Sequence, residues 1–260
     1  MLADRTAPAG AAARGGRAGL HAGSMVFDRV VSGYHGNMIV RGVSFEVPAC
    51  GIIAIVGPNG AGKSTLIKTA FGLVRVASGQ IRFGNQNLAG MSPAQRLACG
   101  IGYVPQLPSV FPSMSVQENL EMGLYCDRGS AEAAHPLEYA YELFPQLAER
   151  RSAAARTLSG GERRMLEISR SMLLRPSLLL LDEPSVGLSP ALTKHMFEIL
   201  VRLRETAGVA LLVIEQNAKT ALQICDEGIV LVGGKIAYHG KGKELLADDE
   251  VRRTFLGGGR

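Results

Sequence analysis

Short apolar runs separated by glycine loops and amphipathic stretches set the pattern of this chain. Val26–Val31, Val43–Val47, Ile52–Val56, Gln80–Phe83, Ile101–Val104, Leu178–Leu181 and Val209–Ile214 read as strands. Ile52–Val56, Leu178–Leu181 and Val209–Ile214 are apolar throughout, as strands of a parallel sheet covered on both faces are. Helical stretches fall between them. Ser64–Phe71 follows a glycine loop, a second helix starts near Ser92 with Pro93 at its first position, and a third starts at Ser189-Pro190. Between Gln106 and Thr157 the pattern is helical: Ser115-Val116-Gln117-Glu118 forms a capping box, and one helix is expected over Leu137–Leu147, kinked or ended near Pro145. This alternation predicts an α/β fold with a helical insertion over about residues 107–157.

Residues 1–24, mostly Ala, Gly and Arg, have little to pack and are expected to form a disordered tail, with the folded domain over 25–260 and Met25 as a candidate true start. At 260 residues, 47% hydrophobic and 20% charged, the composition suits a globular protein with a substantial core. The net charge of +5 is partly carried by the tail, where Arg5, Arg14 and Arg17 outweigh Asp4, so it gives little reason to expect nucleic-acid binding. No apolar run approaches the roughly 20 residues that span a bilayer, so a membrane role would come through partners. The cysteines at 50, 99, 126 and 225 are far apart and are expected to be buried, reduced thiols.

Two loops carry the chemistry. Gly57-Pro58-Asn59-Gly60-Ala61-Gly62-Lys63-Ser64-Thr65 fits G-x-x-x-x-G-K-[ST], placed after a strand and before a helix as the motif requires. Its glycines let successive amides turn inward on phosphate oxygens, and the helix start adds positive potential. Lys63 supplies charge to the β- and γ-phosphates, and Ser64 offers a hydroxyl to Mg²⁺. Asp182 and Glu183, at the end of Leu178–Leu181, are the matching acids: Asp182 for the metal, Glu183 as the base that polarises the attacking water. The second loop, Leu158-Ser159-Gly160-Gly161-Glu162, leaves amides bare at another helix start, expected over Glu162–Leu174, with Ser159 at the cap.

With these residues in place, the chain from Val26 onward resembles an ATP-binding cassette (ABC) protein, a P-loop NTPase core carrying an antiparallel β-subdomain and an inserted α-helical subdomain. Leu158–Glu162 matches the family's signature, with Glu162 where many members have Gln. Gln106, after Tyr103-Val104-Pro105, matches the Q-loop glutamine, which the resemblance places on nucleotide and metal. Tyr34, 23 residues before Gly57, matches the aromatic that stacks on adenine, and Ser185 to Ser189 occupies the D-loop. The resemblance implies ATP and Mg²⁺ as cofactors, with Ser159, Gly160, Gly161 and Glu162 facing the nucleotide of another subunit.

Two positions depart from the family. Gln216 stands where a switch histidine is usual, and Ser189 where Asp is usual. Gln216 can orient a water but cannot gain a proton near neutral pH. With Glu215-Gln216-Asn217-Ala218, Tyr141-Glu142-Leu143-Phe144-Pro145, Gly187-Leu188-Ser189-Pro190 and the tail from Val251 to Gly257, the chain resembles the second ATPase component of branched-chain amino acid importers. Urea and amide importers use close relatives. The resemblance implies a second ABC ATPase subunit, alike or different, two membrane permease subunits, a periplasmic solute-binding protein reached through them, and a place on the cytoplasmic face of the inner membrane. Lipid or lipopolysaccharide export, or another solute, remains an alternative. A non-transport ABC protein is disfavoured, because Gln106 to Leu158 holds no heptads and one chain carries one cassette.

Overall fold

The computed structural model describes residues 23–125 and 135–255. All but the last two positions of the expected tail lie outside them, as does Cys126.

Two sheets organise the chain. Strands β1 (Met25–Tyr34), β2 (Asn37–Val47), β4 (Val76–Phe83) and β5 (Gln86–Asn87) form an antiparallel sheet in the order β2-β1-β4-β5. The second sheet is six-stranded, in the order β10 (Lys235–Lys241), β9 (Glu227–Val232), β3 (Ile52–Val56), β8 (Ala210–Ile214), β7 (Leu178–Asp182), β6 (Ile101–Val104). Strands β9, β3, β8, β7 and β6 run parallel, and β10 returns antiparallel along the edge.

The apolar strands are covered on both faces because their alternate side chains feed two cores. Ile53, Ile55, Leu178, Leu180, Leu212 and Ile214 pack toward α1 (Lys63–Phe71) and the antiparallel sheet, with Phe27, Leu66 and Ile67. Ile52, Ala54, Val56, Leu179, Leu181, Leu211 and Val213 pack toward the other face, with Leu166 of α6 (Gly160–Met172), Leu200 of α7 (Pro190–Ala207) and Leu222 of α8 (Ala218–Ile224). A continuous apolar run is what a strand with two dry faces requires.

The remaining α-helices among the described residues are α2 (Pro93–Ala98), α3 (Val116–Leu124), α4 (Pro136–Leu143), α5 (Pro145–Glu149), α9 (Gly242–Ala247) and α10 (Asp249–Phe255). Ser115 and Glu118 form the expected box at α3, with Ser115 N donating to Glu118 Oε2 at 2.6 Å and Glu118 N to Ser115 Oγ at 3.1 Å. Ser92 and Gln95 form another at α2.

The helix expected over Leu137–Leu147 is ended near Pro145, as read: Phe144 leaves helical geometry (φ −134°, ψ 75°) because the Pro145 ring disfavours it, and Pro145 then opens α5. Two other expectations are corrected. The strands read as Val26–Val31 and Val43–Val47 extend to Tyr34 and back to Asn37, closing a hairpin at His35-Gly36, both at positive φ. The cysteines are not uniformly buried: Cys50 is exposed in a turn at φ 58°, donating to Gly208 O at 3.1 Å, and Cys99 and Cys225 are partly exposed. All three are free thiols. Among the described residues no helix is long and apolar enough to cross a membrane.

Candidate nucleotide site

The parallel register brings the chemistry together. Ile55 and Asp182 both pair with Ile214, and Val104 pairs with Leu181, so β3, β8, β7 and β6 end side by side. Ligands of open α/β sheets bind at this edge. The loop from Gly57 to Gly62 leaves the end of β3 and enters α1.

Gly57 lies flush against the neighbouring strand: at φ 149°, a Cβ there would sit 2.1 Å from Leu231 O. Gly62, in left-handed geometry at φ 102°, caps α1 without any side-chain hydrogen bond, which leaves the helix start open to an outside acceptor. Pro58, Asn59 and Gly60 are exposed, while Ala61, Gly62, Lys63 and Thr65 are buried. The Lys63 ammonium folds back on the loop, donating to Gly57 O at 2.8 Å and Pro58 O at 3.2 Å. Burial lowers its pKa, and Glu183, Asp182 and Glu215 oppose that shift. A phosphate would relieve the same strain by supplying negative charge.

Ser64 Oγ donates to Asp182 Oδ1 at 3.0 Å. The pair is a hydroxyl and a carboxylate, oxygen donors of the kind a hard divalent cation takes, so the residues present fit Mg²⁺. Burial raises the pKa of Asp182, against the hydrogen bond from Ser64 and the charge of Lys68. A cation would offset that cost.

Gln106 leaves β6 on an exposed loop, and its Nε2 donates to Glu183 Oε2 at 2.7 Å. The structure thus joins Lys63, Ser64, Asp182, Glu183 and Gln106 in one cluster. Tyr34 stands outside it on the β1–β2 hairpin, exposed. Gln216 is exposed; its amide donates to Glu215 Oε2 at 3.2 Å, and its side chain makes no contact with the cluster among the described hydrogen bonds.

The second loop lies apart. Ser159 is the N-cap of α6, and the box is reciprocal: Glu162 N donates to Ser159 Oγ at 3.2 Å, and Ser159 N to Glu162 Oε2 at 2.8 Å. Those amide and hydroxyl bonds hold the Glu162 carboxyl below the usual range. Arg150 lies 3.6 Å from its other oxygen. Ser159 and Gly160 are exposed, whereas Gly161 is packed against Leu192. Glu162 is committed to its own helix, which leaves Ser159 and Gly160 as the accessible part of the motif.

Sequence reading missed four neighbours of the cluster. Tyr103 OH reaches Asp182 Oδ2 at 3.5 Å, the far limit of a hydrogen bond, and its ring stacks on Phe71. Glu215 is fully buried and accepts from Ser185 N at 2.9 Å; burial raises its pKa. Arg164 and Glu167, a buried pair on α6, bind backbone around Glu183 and Gln106. Position in the parallel register signals Tyr103. No residue pattern signals the others, because their partners are mostly backbone groups.

Comparison with known proteins gives the same assignment. The family described as ABC transporter matches residues 40–186, which include the cluster and the second loop but not Tyr34 or Gln216. The chain is 41% identical to the high-affinity branched-chain amino acid transport ATP-binding protein BraG of Pseudomonas aeruginosa, over 89% of this chain and 99% of that one. It is 36% identical to a probable branched-chain amino acid transport ATP-binding protein LivF of Archaeoglobus fulgidus, over 87% and 95%. It is 33% identical to the lipopolysaccharide export system ATP-binding protein LptB of Escherichia coli K12, over 86% and 93%. Among solved structures it is similar to the ADP conformation of MJ1267, an ATP-binding cassette of an ABC transporter, with TM-score 0.80, 27% identity and coverage of 90% and 99%. A nucleotide-free cassette matches with TM-score 0.78. The chain belongs to the ATP-binding cassette family, as an ATP-binding subunit of an ABC transporter.

Proposed function

We propose that this subunit hydrolyses ATP to drive a branched-chain amino acid importer, with Glu183 as the general base. The carrying observation is the cluster of Lys63, Ser64, Asp182, Gln106 and Glu183 at the carboxyl edge of the parallel sheet. In this reading the amides of Gly57–Thr65 and the Lys63 ammonium bind the β- and γ-phosphates, exchanging the loop carbonyls for phosphate oxygens. Ser64 and Asp182, with Gln106, would hold Mg²⁺, which when bound draws charge from the phosphates. Glu183 accepts a proton from the attacking water once its oxygen is released from the Gln106 amide. Tyr34 stacks on adenine, and Gln216 orients water.

The second loop supports pairing. Ser159 and Gly160 face outward at a helix start, suited to the γ-phosphate of another cassette. The helical insertion, with α3, α4 and α5, would meet membrane permeases at the cytoplasmic face, with a periplasmic binding protein beyond. Similarity to BraG and LivF, ATP-binding proteins of branched-chain amino acid transport, supports branched-chain amino acids as the solute. Similarity to LptB keeps lipopolysaccharide export as the second reading.

Permeases that co-purify with this chain, reconstituted in vesicles with their binding protein, decide the matter. ATP-dependent uptake of labelled leucine, isoleucine or valine is expected. Uptake of urea or amides alone, or extraction of lipopolysaccharide, would replace the solute; ATP hydrolysis without any movement of solute would contradict a transport role.

A further inference from the structure

Glu183 sits in left-handed backbone geometry, at φ 49°, a region in which a side chain with a Cβ is disfavoured. Such a conformation persists only where its surroundings hold it. Its own amide donates to Ile214 O at 2.8 Å, and the Ser185 amide donates to Glu215 Oε1 at 2.9 Å. The carbonyls on either side are both taken by one side chain. Arg164 Nη2 donates to Asp182 O and Arg164 Nε to Pro184 O, each at 3.1 Å.

Arg164 reaches further. Its Nη1 donates to Pro105 O at 2.8 Å, the residue before Gln106, and to Glu167 Oε2 at 2.7 Å. Glu167 Oε1 in turn accepts from Ser109 N at 2.6 Å. Both side chains are more than nine-tenths buried. Arg164 lies five residues after Ser159 on the same helix. One planar guanidinium therefore connects α6, which starts at the second loop, to the peptide units flanking Glu183 and to the root of Gln106.

We infer that Arg164 is a positioning residue that sets Glu183 and Gln106 from the signature helix, so that engagement of Ser159 and Gly160 is transmitted to the base through its four hydrogen bonds. The inference rests on Glu183 being the base. A lysine cannot replace this fork: its ammonium is a single point of donors and cannot span acceptors on three segments.

Arg164→Lys tests the role while keeping the charge beside Glu167. Turnover is expected to fall about 10- to 100-fold, since small misplacement of a catalytic group costs that much, with the ATP dissociation constant within about threefold of the parent protein. Arg164→Met with Glu167→Gln is the second variant. It removes both buried charges together, and the glutamine carbonyl still accepts from Ser109 N. It too should bind ATP and turn over slowly. If Arg164→Lys fails to fold, the double variant alone decides. Unchanged turnover in the variant that folds, or equal losses in binding and turnover, would overturn the positioning role. A parent protein that binds ATP but does not hydrolyse it would instead overturn the assignment of Glu183.

Discussion

Helix α1 begins at Gly62 with no side-chain cap, whereas α6 begins at Ser159 with a reciprocal pair of side-chain and backbone bonds. Both starts are glycine-rich, and on the proposed reading both would present amides to a phosphate. The difference lies in what each does without one. The first loop leaves its helix start open and compensates by folding Lys63 onto its own carbonyls. The second closes its start with Ser159 and Glu162. The acids follow the same division: burial raises the pKa of Asp182, while amide bonds lower that of Glu162. On the proposed reading, one loop would be completed by a bound nucleotide and the other offered as a finished surface.

The contrast can be broken at its chemical end first. Glu183→Gln should lower turnover by about 10²- to 10⁴-fold while ATP still binds, as measured by phosphate release and calorimetry. Normal turnover would reassign the base. Lys63→Ala should weaken ATP binding by at least about tenfold, since a charge-assisted bond to phosphate is lost from a buried site. Unchanged affinity would remove Lys63 from the phosphate contact.

The same substitution should act oppositely at the two loops. Gly57→Ala forces a Cβ onto Leu231 O and should destabilise the fold by roughly 1–3 kcal/mol in thermal or urea unfolding. Gly160→Ala meets only Leu188 at 3.5 Å and should be neutral or slightly stabilising, by less than about 1 kcal/mol, because alanine suits a helix better. Equal destabilisation would mean the second start is as tightly built as the first.

The smallest effect is in acid. Glu162 is lowered in the folded protein, so its stabilising contribution is present above the unfolded carboxyl pKa, about 4.3, and is lost as pH falls through the folded value. Glu162→Gln should therefore be less stable than the parent at pH 6 and approach it below about pH 4 in urea unfolding. A stability gap independent of pH would show that the carboxylate charge has no part in the cap.

Much of this contrast was legible before folding. The apolar strands, the loop from Gly57 to Thr65 and the acids at 182 and 183 announce themselves because each needs particular residue types at fixed spacing. The hairpin at His35-Gly36 did not, since its strands are half exposed and mix polar with apolar positions. Cys50 was misread because a small apolar side chain usually seeks the core; here a left-handed turn places it outside. Arg164 was invisible for a different reason. Three of its four acceptors are main-chain carbonyls, which any sequence would supply. Glu162 is read as part of the phosphate surface, and the structure adds that its carboxylate caps its own helix. Ser189, the departure in the D-loop, keeps a capping function: Leu192 N donates to its hydroxyl at 3.4 Å.

The proposed pairing of the two loops across a dimer is tested most directly by sedimentation velocity of the Glu183→Gln protein with Mg²⁺ and ATP, alone and mixed with any second cassette that co-purifies with the parent protein. ATP should convert monomers to dimers in at least one of these samples. Adding Gly160→Glu should abolish that conversion without weakening ATP binding: the new carboxylate suits its own helix start but repels a phosphate facing it. Dimers that form equally well with Gly160→Glu, or ATP-saturated protein that stays monomeric in both samples, would contradict a second loop that serves a neighbour's nucleotide.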